Sequence, residues 1–191
     1  MIITEPKWKS YVVETLGPIF TAELCKEIID LSSILKKEQG KIYHNDVKDY
    51  DQKRRDSTIS WIPFNKMQPM YDDLIHLIQK INRNHFGFSK VQITEPAQVS
   101  EYSKGQFYHW HTDSSIDMVK EPPVRKLSMS LLLNDPSEFE GGNLEIDGKN
   151  LSPMKQGHAA IFASFLQHRV IPVTKGVRKS LVVWFSGEPF K

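Results

Sequence analysis

Short segments of alternating apolar and polar residues occupy the second half of the chain and constrain its fold more than any other feature. Turn-forming residues such as Gly141-Gly142 separate them. The pattern predicts strands at 97–102, 107–111, 126–134, 143–146, 159–163, 168–172 and 178–186. Several short strands at such spacing indicate a sandwich or barrel rather than alternating strand–helix units.

Two amphipathic helices are predicted ahead of these strands. The first covers 22–37, with Thr21 as its N-cap, and the second covers 67–84. Short strands are also predicted at 8–13 and 57–62. Helices followed by strands favour an α+β fold, a double-stranded β-helix (jelly roll) that N-terminal helices buttress.

The length of the chain fits one domain with a substantial core. We expect a single domain over 1–191, with helical support and entry strands in 1–90 and the jelly-roll core in 91–191. The segment 39–55 is polar and without periodicity, so we predict a loop there, with the role of a lid.

Composition and charge exclude several classes of protein. Hydrophobic residues make up 39% and charged residues 25%, as in ordinary soluble globular proteins. A net charge of +2 is too small to favour a nucleic-acid partner. The single cysteine, Cys25, cannot form an intramolecular disulfide. Neither a secretory signal nor a membrane span is recognisable, so we expect a cytoplasmic protein. The oligomeric state is left open.

Three residues have the spacing and chemistry of a metal site. His111 and Asp113 are two residues apart, so on an extended strand both point to the same side. His168 supplies a third ligand from a later strand. Two imidazoles and one carboxylate form the facial triad of non-haem Fe(II) oxygenases, which leaves three positions open for chemistry. His109 shares the face of His111 by alternation, but only His111 has a carboxylate two residues further on.

Arg178 offers an anchor for a second ligand in the same part of the fold. Alternation places Arg178, Ser180 and Trp184 on one strand face. A guanidinium binds a planar carboxylate through two hydrogen bonds and stays charged. We therefore expect Arg178 and Ser180 to bind the far carboxylate of a dicarboxylate, for which 2-oxoglutarate is the candidate.

In this order, the H-T-D motif, the distal histidine and the R-x-S motif resemble the Fe(II)/2-oxoglutarate-dependent dioxygenase superfamily, in its prolyl 4-hydroxylase-like branch. The Y-x-x-G-x-x-Y run, the EGGNLEI segment and the closing HRVIPVTKGVRKSLVVWF carry the resemblance further, over roughly Ala97 to Phe185. It implies Fe(II) and 2-oxoglutarate, with ascorbate as a candidate reductant. It also implies that Tyr102 and Trp184 line the pocket.

One departure concerns the strand after the H-T-D motif. Some prolyl hydroxylases have there a tyrosine that helps to hold the co-substrate, whereas this chain has leucines at 131–133. Ser128, Ser130 or Tyr102 are candidates to replace that tyrosine as helpers of Arg178.

The resemblance implies hydroxylation of an unactivated C–H bond, in a prolyl residue of a peptide or protein, with release of succinate and CO2. A free amino acid or another small molecule is an alternative substrate, since fold does not fix substrate. A non-catalytic jelly-roll binding protein and a hydrolytic zinc site are alternative functions. The segments 39–55 and 112–126 flank the predicted mouth. Arg55 and Arg125 are therefore candidate substrate contacts, although charges in loops are more often solvated.

Overall fold

The computed structural model describes residues 11–44, 47–49, 51–114, 123–147, 149–150 and 155–189. Its strands are β1 (Val12–Glu14), β2 (Glu38–Gln39), β3 (Ile42–His44), β4 (Val47–Asp49), β5 (Arg55–Asp56), β6 (Thr58–Ile62), β7 (Gln92–Ile93), β8 (Ala97–Ser103), β9 (Phe107–His111), β10 (Val124–Leu132), β11 (Phe139–Gly141), β12 (Leu144–Ile146), β13 (Lys149–Asn150), β14 (Ala159–Ala163), β15 (His168–Val170) and β16 (Val173–Gly187). Two α-helices precede most of these strands, α1 (Ala22–Ile34) and α2 (Gln68–Ile81).

The strands form two antiparallel sheets. Among the described residues the larger sheet has nine strands, in the order β1-β14-β10-β16-β8-β6-β2, with β7 and β11 paired to β16. The smaller sheet has the order β13-β12-β15-β9-β5, and β3 and β4 form a separate hairpin. Two antiparallel sheets with helices on one side give the α+β arrangement predicted from the sequence.

The two helices cover one face of the larger sheet. Their buried apolar side chains pack on the apolar side chains of the sheet, and the cluster includes Cys25, Ile28, Met70, Leu74, Ile78, Val99, Met129, Leu181 and Val183. This contact area is the main hydrophobic core of the described chain. Among the described residues, no helix combines the length and apolar character that a bilayer crossing requires.

The opposite face of the larger sheet meets the smaller sheet. A second apolar cluster lies between them, with Tyr102, Leu144, Ile146, Phe162, Val170 and Val173 among its members. Because side chains alternate along a strand, the neighbours of the core residues on β8 and β16 point to this side. They are polar and buried, and they include Gln98, Ser100, Arg178 and Ser180. The space between the sheets therefore has both polar and apolar walls.

Both helices end before the predicted positions. Ser32 and Ser33 donate their hydroxyls to the carbonyls of Ile29 and Asp30, and the backbone of Leu35 is extended. Such side-chain bonds compete with the helix ladder, so α1 ends at 34 and not at 37. In the second helix, the α-helical bonds give way to a π-helical turn over Asn82–Phe86.

The prediction of a loop over 39–55 is wrong in part. Short strands lie within it, since β3 pairs with β4 and β5 pairs with β9. These pairings depend on main-chain hydrogen bonds in a polar sequence, so the alternation of side chains does not signal them. Residues 45–46 and 50 lie outside the described residues, as do 8–10 of the strand predicted at 8–13. The role of the segment as a lid stays a prediction.

Thr21 begins α1 as predicted, because its hydroxyl oxygen accepts a hydrogen bond from the backbone N–H of Leu24 at 3.2 Å. Replacing Thr21 with alanine should lower the free energy of unfolding by about 1 kcal/mol, the usual effect of losing an N-cap. Urea denaturation of Thr21→Ala beside Thr21→Ser measures this. The serine variant keeps the hydroxyl and should be close to wild type, whereas equal losses in both variants would contradict a capping role.

Candidate active site

The smaller sheet brings the two distant histidines side by side. In the antiparallel pair of β9 and β15, His111 lies directly opposite His168. Asp113 follows the end of β9, and its backbone N–H donates to the carbonyl of Ser164 at 2.9 Å. That bond turns the chain after the strand. Side-chain alternation predicted the pairing of His111 with Asp113, and the sheet register supplies His168.

The ligand atoms of these three residues converge. The Nε2 atom of His111 lies 3.6 Å from Oδ1 of Asp113, and Nε2 of His168 lies 3.4 Å from Oδ2. All three residues offer ligand atoms within 4.8 Å of one another. The imidazole rings of His111 and His168 are 4.0 Å apart between centroids. One ion can therefore contact all three side chains.

Backbone carbonyls orient both imidazoles. Nδ1 of His111 lies 2.8 Å from the carbonyl oxygen of His109, and Nδ1 of His168 lies 3.0 Å from that of Leu166. A carbonyl only accepts, so each Nδ1 carries a proton, and in a neutral imidazole the lone pair is then on Nε2. This is the arrangement that metal-binding histidines commonly have.

The protonation states of the cluster suit a cation. Burial and the neighbouring His168 lower the pKa of His111 to about 3, so its imidazole is neutral at physiological pH. Burial alone would raise the pKa of Asp113. The imidazoles of His168 and His111, Arg125 and the Ser128 hydroxyl together outweigh burial and hold the pKa below its usual range. A neutral imidazole and an ionised carboxylate are the forms that bind metals.

Ser128 supports the carboxylate and not the arginine. Its hydroxyl donates to Oδ2 of Asp113 at 2.6 Å and lies 2.9 Å from the hydroxyl of Ser164. The prediction of Ser128 as a helper of Arg178 is therefore wrong. Ser128 lies on β10, fifteen residues beyond Asp113, so only the sheet pairing reveals the contact.

The Ser128 hydroxyl fixes the orientation of the Asp113 carboxylate, so Ser128→Ala should weaken Fe(II) binding by about 10-fold or more. Equilibrium metal binding measures this loss directly. Ser130→Ala is the matched control, because Ser130 lies on the same strand face two residues away and should leave metal affinity unchanged. Equal metal affinity in the Ser128→Ala and wild-type proteins would contradict the role of the hydroxyl.

A register shift between β9 and β15 changes which neighbours surround His111. Tyr108 lies opposite Val170, and His111 lies opposite His168. The register changes between these two pairs, because three residues on β9 correspond to two on β15. The ring of Tyr108 therefore stacks on the imidazole of His111, with centroids 3.5 Å apart. His109, expected on the same face as His111, is exposed and lies outside the ligand cluster. Strict alternation fails here because of the irregular pairing.

Arg178 lies in the same cavity, which has a volume of about 860 Å³. It is only 2% exposed, and its Nη1 donates to the hydroxyl of Ser180 at 3.0 Å. Its Nη2 is buried and has no hydrogen-bond partner among the described residues, and neither has Nε1 of Trp184. A buried donor without a partner is costly, so both atoms indicate a ligand with acceptor oxygens. Tyr102 completes this wall, with its ring 5.9 Å from the guanidinium carbon.

The chain around Arg178 is held from two sides. The side-chain amide of Asn134 accepts from the N–H of Lys179 at 2.8 Å and donates to the carbonyl of Val177 at 2.9 Å. Gly142 has a φ of 66°, and a Cβ there would lie 2.9 Å from Cδ of Arg178. Only glycine fits this position without displacing the arginine. The EGGNLEI segment noted in the sequence thus has a packing role beside Arg178.

The donor set fits an iron ion and a dicarboxylate. Two Nε2 atoms and a carboxylate match the facial triad of Fe(II) oxygenases. The buried Nη2 of Arg178 and the hydroxyl of Ser180 match a carboxylate at the far side of the cavity. The volume exceeds what one small dicarboxylate fills and falls within the range of small-molecule pockets, about 300–1,000 Å³. The cavity therefore has room for a second ligand.

Comparisons with known proteins identify relatives of this chain. Residues 97–186 match the model of the 2OG-Fe(II) oxygenase superfamily. A PKHD-type hydroxylase from Psychrobacter is 30% identical over 128 residues, which are 62% of this chain and 49% of that protein. One from Parvibaculum lavamentivorans is 35% identical over 95 residues, 47% of this chain and 42% of that protein. The chain thus spans about half the length of these curated relatives.

Solved structures share the fold. A viral collagen prolyl hydroxylase from Paramecium bursaria Chlorella virus-1, solved with 2OG, has a TM-score of 0.73 at 18% identity and covers 93% of this chain and 97% of its own. A Trichoplax adhaerens prolyl hydroxylase in complex with a hypoxia inducible factor peptide fragment has a TM-score of 0.70 at 19% identity. The match covers 92% of this chain and 83% of that protein chain. The jelly-roll fold predicted from the sequence is therefore confirmed.

Proposed function

We propose that this chain is an oxygenase of the 2OG-Fe(II) superfamily, because residues 97–186 match the model of that family and PKHD-type hydroxylases are similar in sequence. The reaction is the hydroxylation of an unactivated C–H bond, with a prolyl residue of a peptide or protein as substrate. The observation that carries the proposal is the cavity in which three converging ligand side chains face a buried guanidinium without a carboxylate partner among the described residues.

His111, Asp113 and His168 hold the iron ion in this proposal. Bound Fe(II), with 2-oxoglutarate and dioxygen, supplies the oxidative chemistry, in which 2-oxoglutarate becomes succinate and CO2 and one oxygen atom enters the substrate. The residues of the chain bind and orient. The carbonyls of His109 and Leu166 accept from the Nδ1–H groups and so direct both Nε2 atoms at the ion, and the Ser128 hydroxyl keeps the Asp113 carboxylate in one orientation.

Arg178 and Ser180 bind the far carboxylate of 2-oxoglutarate, and Tyr102 and Trp184 form the wall of its pocket. In a hydrolytic zinc site the buried guanidinium of Arg178 would have no role, whereas in an oxygenase it binds the co-substrate. The arginine therefore favours the oxygenase over the zinc hydrolase. We propose that residues 1–191 form a single domain of this kind, with the metal site in 91–191. Cytoplasmic location, the use of ascorbate and the lack of a nucleic-acid partner stay predictions from the sequence.

A prolyl substrate is supported by the comparisons, since two similar folds are prolyl hydroxylases. The test is incubation of the protein in air with Fe(II), 2-oxoglutarate and, in separate samples, pools of proline-containing peptides and pools of free amino acids. We expect succinate to form and some peptides to gain one oxygen atom by mass. If succinate forms and a free amino acid, not a peptide, gains the oxygen atom, the substrate belongs to the alternative class of small molecules. Absence of both products from folded, iron-loaded protein would contradict the activity.

A further inference from the structure

Arg55 is a second buried cation in the cavity. It is 7% exposed, although the sequence places it in a polar segment where a solvated charge is the ordinary expectation. Its Nε donates to the hydroxyl of Ser57 at 2.9 Å, and its Nη1 donates to the carbonyl of Lys41 at 3.0 Å. Both acceptors are neutral. No carboxylate among the described residues pairs with Arg55, and such a buried charge is costly unless a ligand compensates it.

Arg125 shows how the same cavity neutralises a cation that needs no ligand. Its Nε and Nη2 donate to both carboxylate oxygens of Glu95, each at 2.6 Å, and its guanidinium lies 3.8 Å from the ring of Trp184. This fork-to-fork pair uses the charge of Arg125 within the protein. Apart from the exposed Arg54, the arginines that line the cavity thus differ: Arg125 has an internal counter-ion, whereas the buried Arg55 and Arg178 lack one among the described residues.

The charges of the proposed complex leave Arg55 unmatched. Fe(II) and Arg178 together balance Asp113 and the two carboxylates of 2-oxoglutarate, so this half of the cavity is neutral once loaded. Among the buried charged residues that line the cavity, Arg55 is then the one without a compensating charge among the described residues. A bound substrate with a negative group compensates it, whereas a neutral substrate leaves a buried cation unpaired.

Arg55 is also well placed to position a substrate. Its guanidinium carbon lies 4.5 Å from the ring centroid of Tyr108. That ring stacks on the imidazole of His111, one of the three candidate metal ligands. Gly40 packs so closely that a side chain there would overlap the Arg55 guanidinium and the Ser57 hydroxyl. Arg55 is thus held from behind by Gly40 and Lys41 and is one aromatic ring away from the ligand cluster.

On the basis of the proposed function, we propose that Arg55 binds a carboxylate of the substrate. The α-carboxylate of a free amino acid, the C-terminus of a peptide and an acidic side chain beside the target residue share this chemistry. A carboxylate held at Arg55 directs the carbon atoms next to it toward the metal-binding residues. The reaction would therefore favour acidic substrates over their neutral amides, and Arg55 is a specificity-determining residue.

Anaerobic equilibrium dialysis tests the proposal without turnover. Protein loaded with Fe(II) and 2-oxoglutarate is dialysed against paired ligand pools, and retained compounds are identified by mass spectrometry. Each pair compares an acid with its amide. The first pair is proline-containing peptides with free or amidated C-termini, and the second is the same peptides containing either Asp and Glu or Asn and Gln. The third is free amino acids and their amides. We expect the acid of at least one pair to be retained about 10-fold or more over its amide, the value of a charged hydrogen bond. The pair that responds identifies the source of the carboxylate.

Three variants connect the preference to Arg55. Arg55→Gln should abolish the acid-over-amide ratio while retaining 2-oxoglutarate, which also shows that the variant is folded. Arg55→Lys should give a smaller ratio than wild type, because lysine keeps the charge but lacks the fork. Lys53→Gln is the control: Lys53 is exposed at the same turn, it is not among the described residues that line the cavity, and the substitution also removes one positive charge. It should keep the ratio of the wild type.

The outcomes separate the two proposals. Retention of 2-oxoglutarate without an acid preference in any pair, or with the same preference in Arg55→Gln, overturns the Arg55 site and leaves the oxygenase activity standing. Failure of the wild-type protein to retain 2-oxoglutarate removes the premise and overturns both.

Discussion

His168→Ala should abolish metal-dependent turnover and weaken Fe(II) binding by more than about 100-fold. Replacing a residue that only hydrogen-bonds to a metal ligand weakens metal binding by about 10–100-fold, and removing the ligand itself should weaken it more. His168 lies opposite His111 and 3.4 Å from Asp113, so its imidazole closes the ligand cluster. Equilibrium Fe(II) binding and succinate formation are the two measurements. Circular dichroism shows whether the variant has kept its fold, since His168 is buried.

His109→Ala is the matched control for this prediction. His109 is exposed and lies outside the ligand cluster, so its loss should leave both metal affinity and turnover close to wild type. The reverse pattern, with metal lost from His109→Ala and kept by His168→Ala, would show that the ligands are assigned wrongly.

Arg178→Gln should weaken 2-oxoglutarate binding by about 2–5 kcal/mol, or about 30-fold and more, the usual range for truncating one partner of a buried charged pair. Fe(II) binding should be unchanged, since the ligand cluster does not include Arg178. Burial lowers the pKa of Arg178, yet a guanidinium remains charged at physiological pH. Arg178→Lys should fall between glutamine and wild type, because it retains the charge without the fork.

Isothermal titration of the Fe(II)-loaded, anaerobic protein measures these affinities. Lys179→Ala is the control, because alternation places Lys179 on the opposite face of β16. Equal 2-oxoglutarate affinity in Arg178→Gln and wild type would mean that another group anchors the far carboxylate.

The alternation along β8, β10 and β16 made much of the fold and one wall of the site predictable. Alternation placed Arg178, Ser180 and Trp184 on one strand face, and the resemblance implied Tyr102 as a pocket residue; all four line the cavity. The two-residue spacing likewise predicted the pairing of His111 with Asp113, although Asp113 lies two residues beyond the end of β9. What the predictions from alternation share is that each depends on one short segment of the chain, so the period of two is enough.

Features that depend on contacts between strands had no such signal. The support of Asp113 by Ser128 and the pairing of Arg125 with Glu95 join residues fifteen and thirty positions apart. The stack of Tyr108 on His111 requires an irregular register that a regular pattern cannot reveal.

The burial of Arg55 also had no local signal. It follows from the pairing of β5 with β9 in a polar segment, where main-chain hydrogen bonds and not side-chain alternation decide the structure.

Anaerobic absorption spectroscopy tests the central claim most directly, namely that one cavity holds Fe(II) and 2-oxoglutarate together. Addition of 2-oxoglutarate to the Fe(II)-loaded protein should produce a weak visible charge-transfer band, and the band should be missing from His168→Ala. Folded wild-type protein that shows no band under these conditions, and forms no succinate when air is admitted, would contradict the claim.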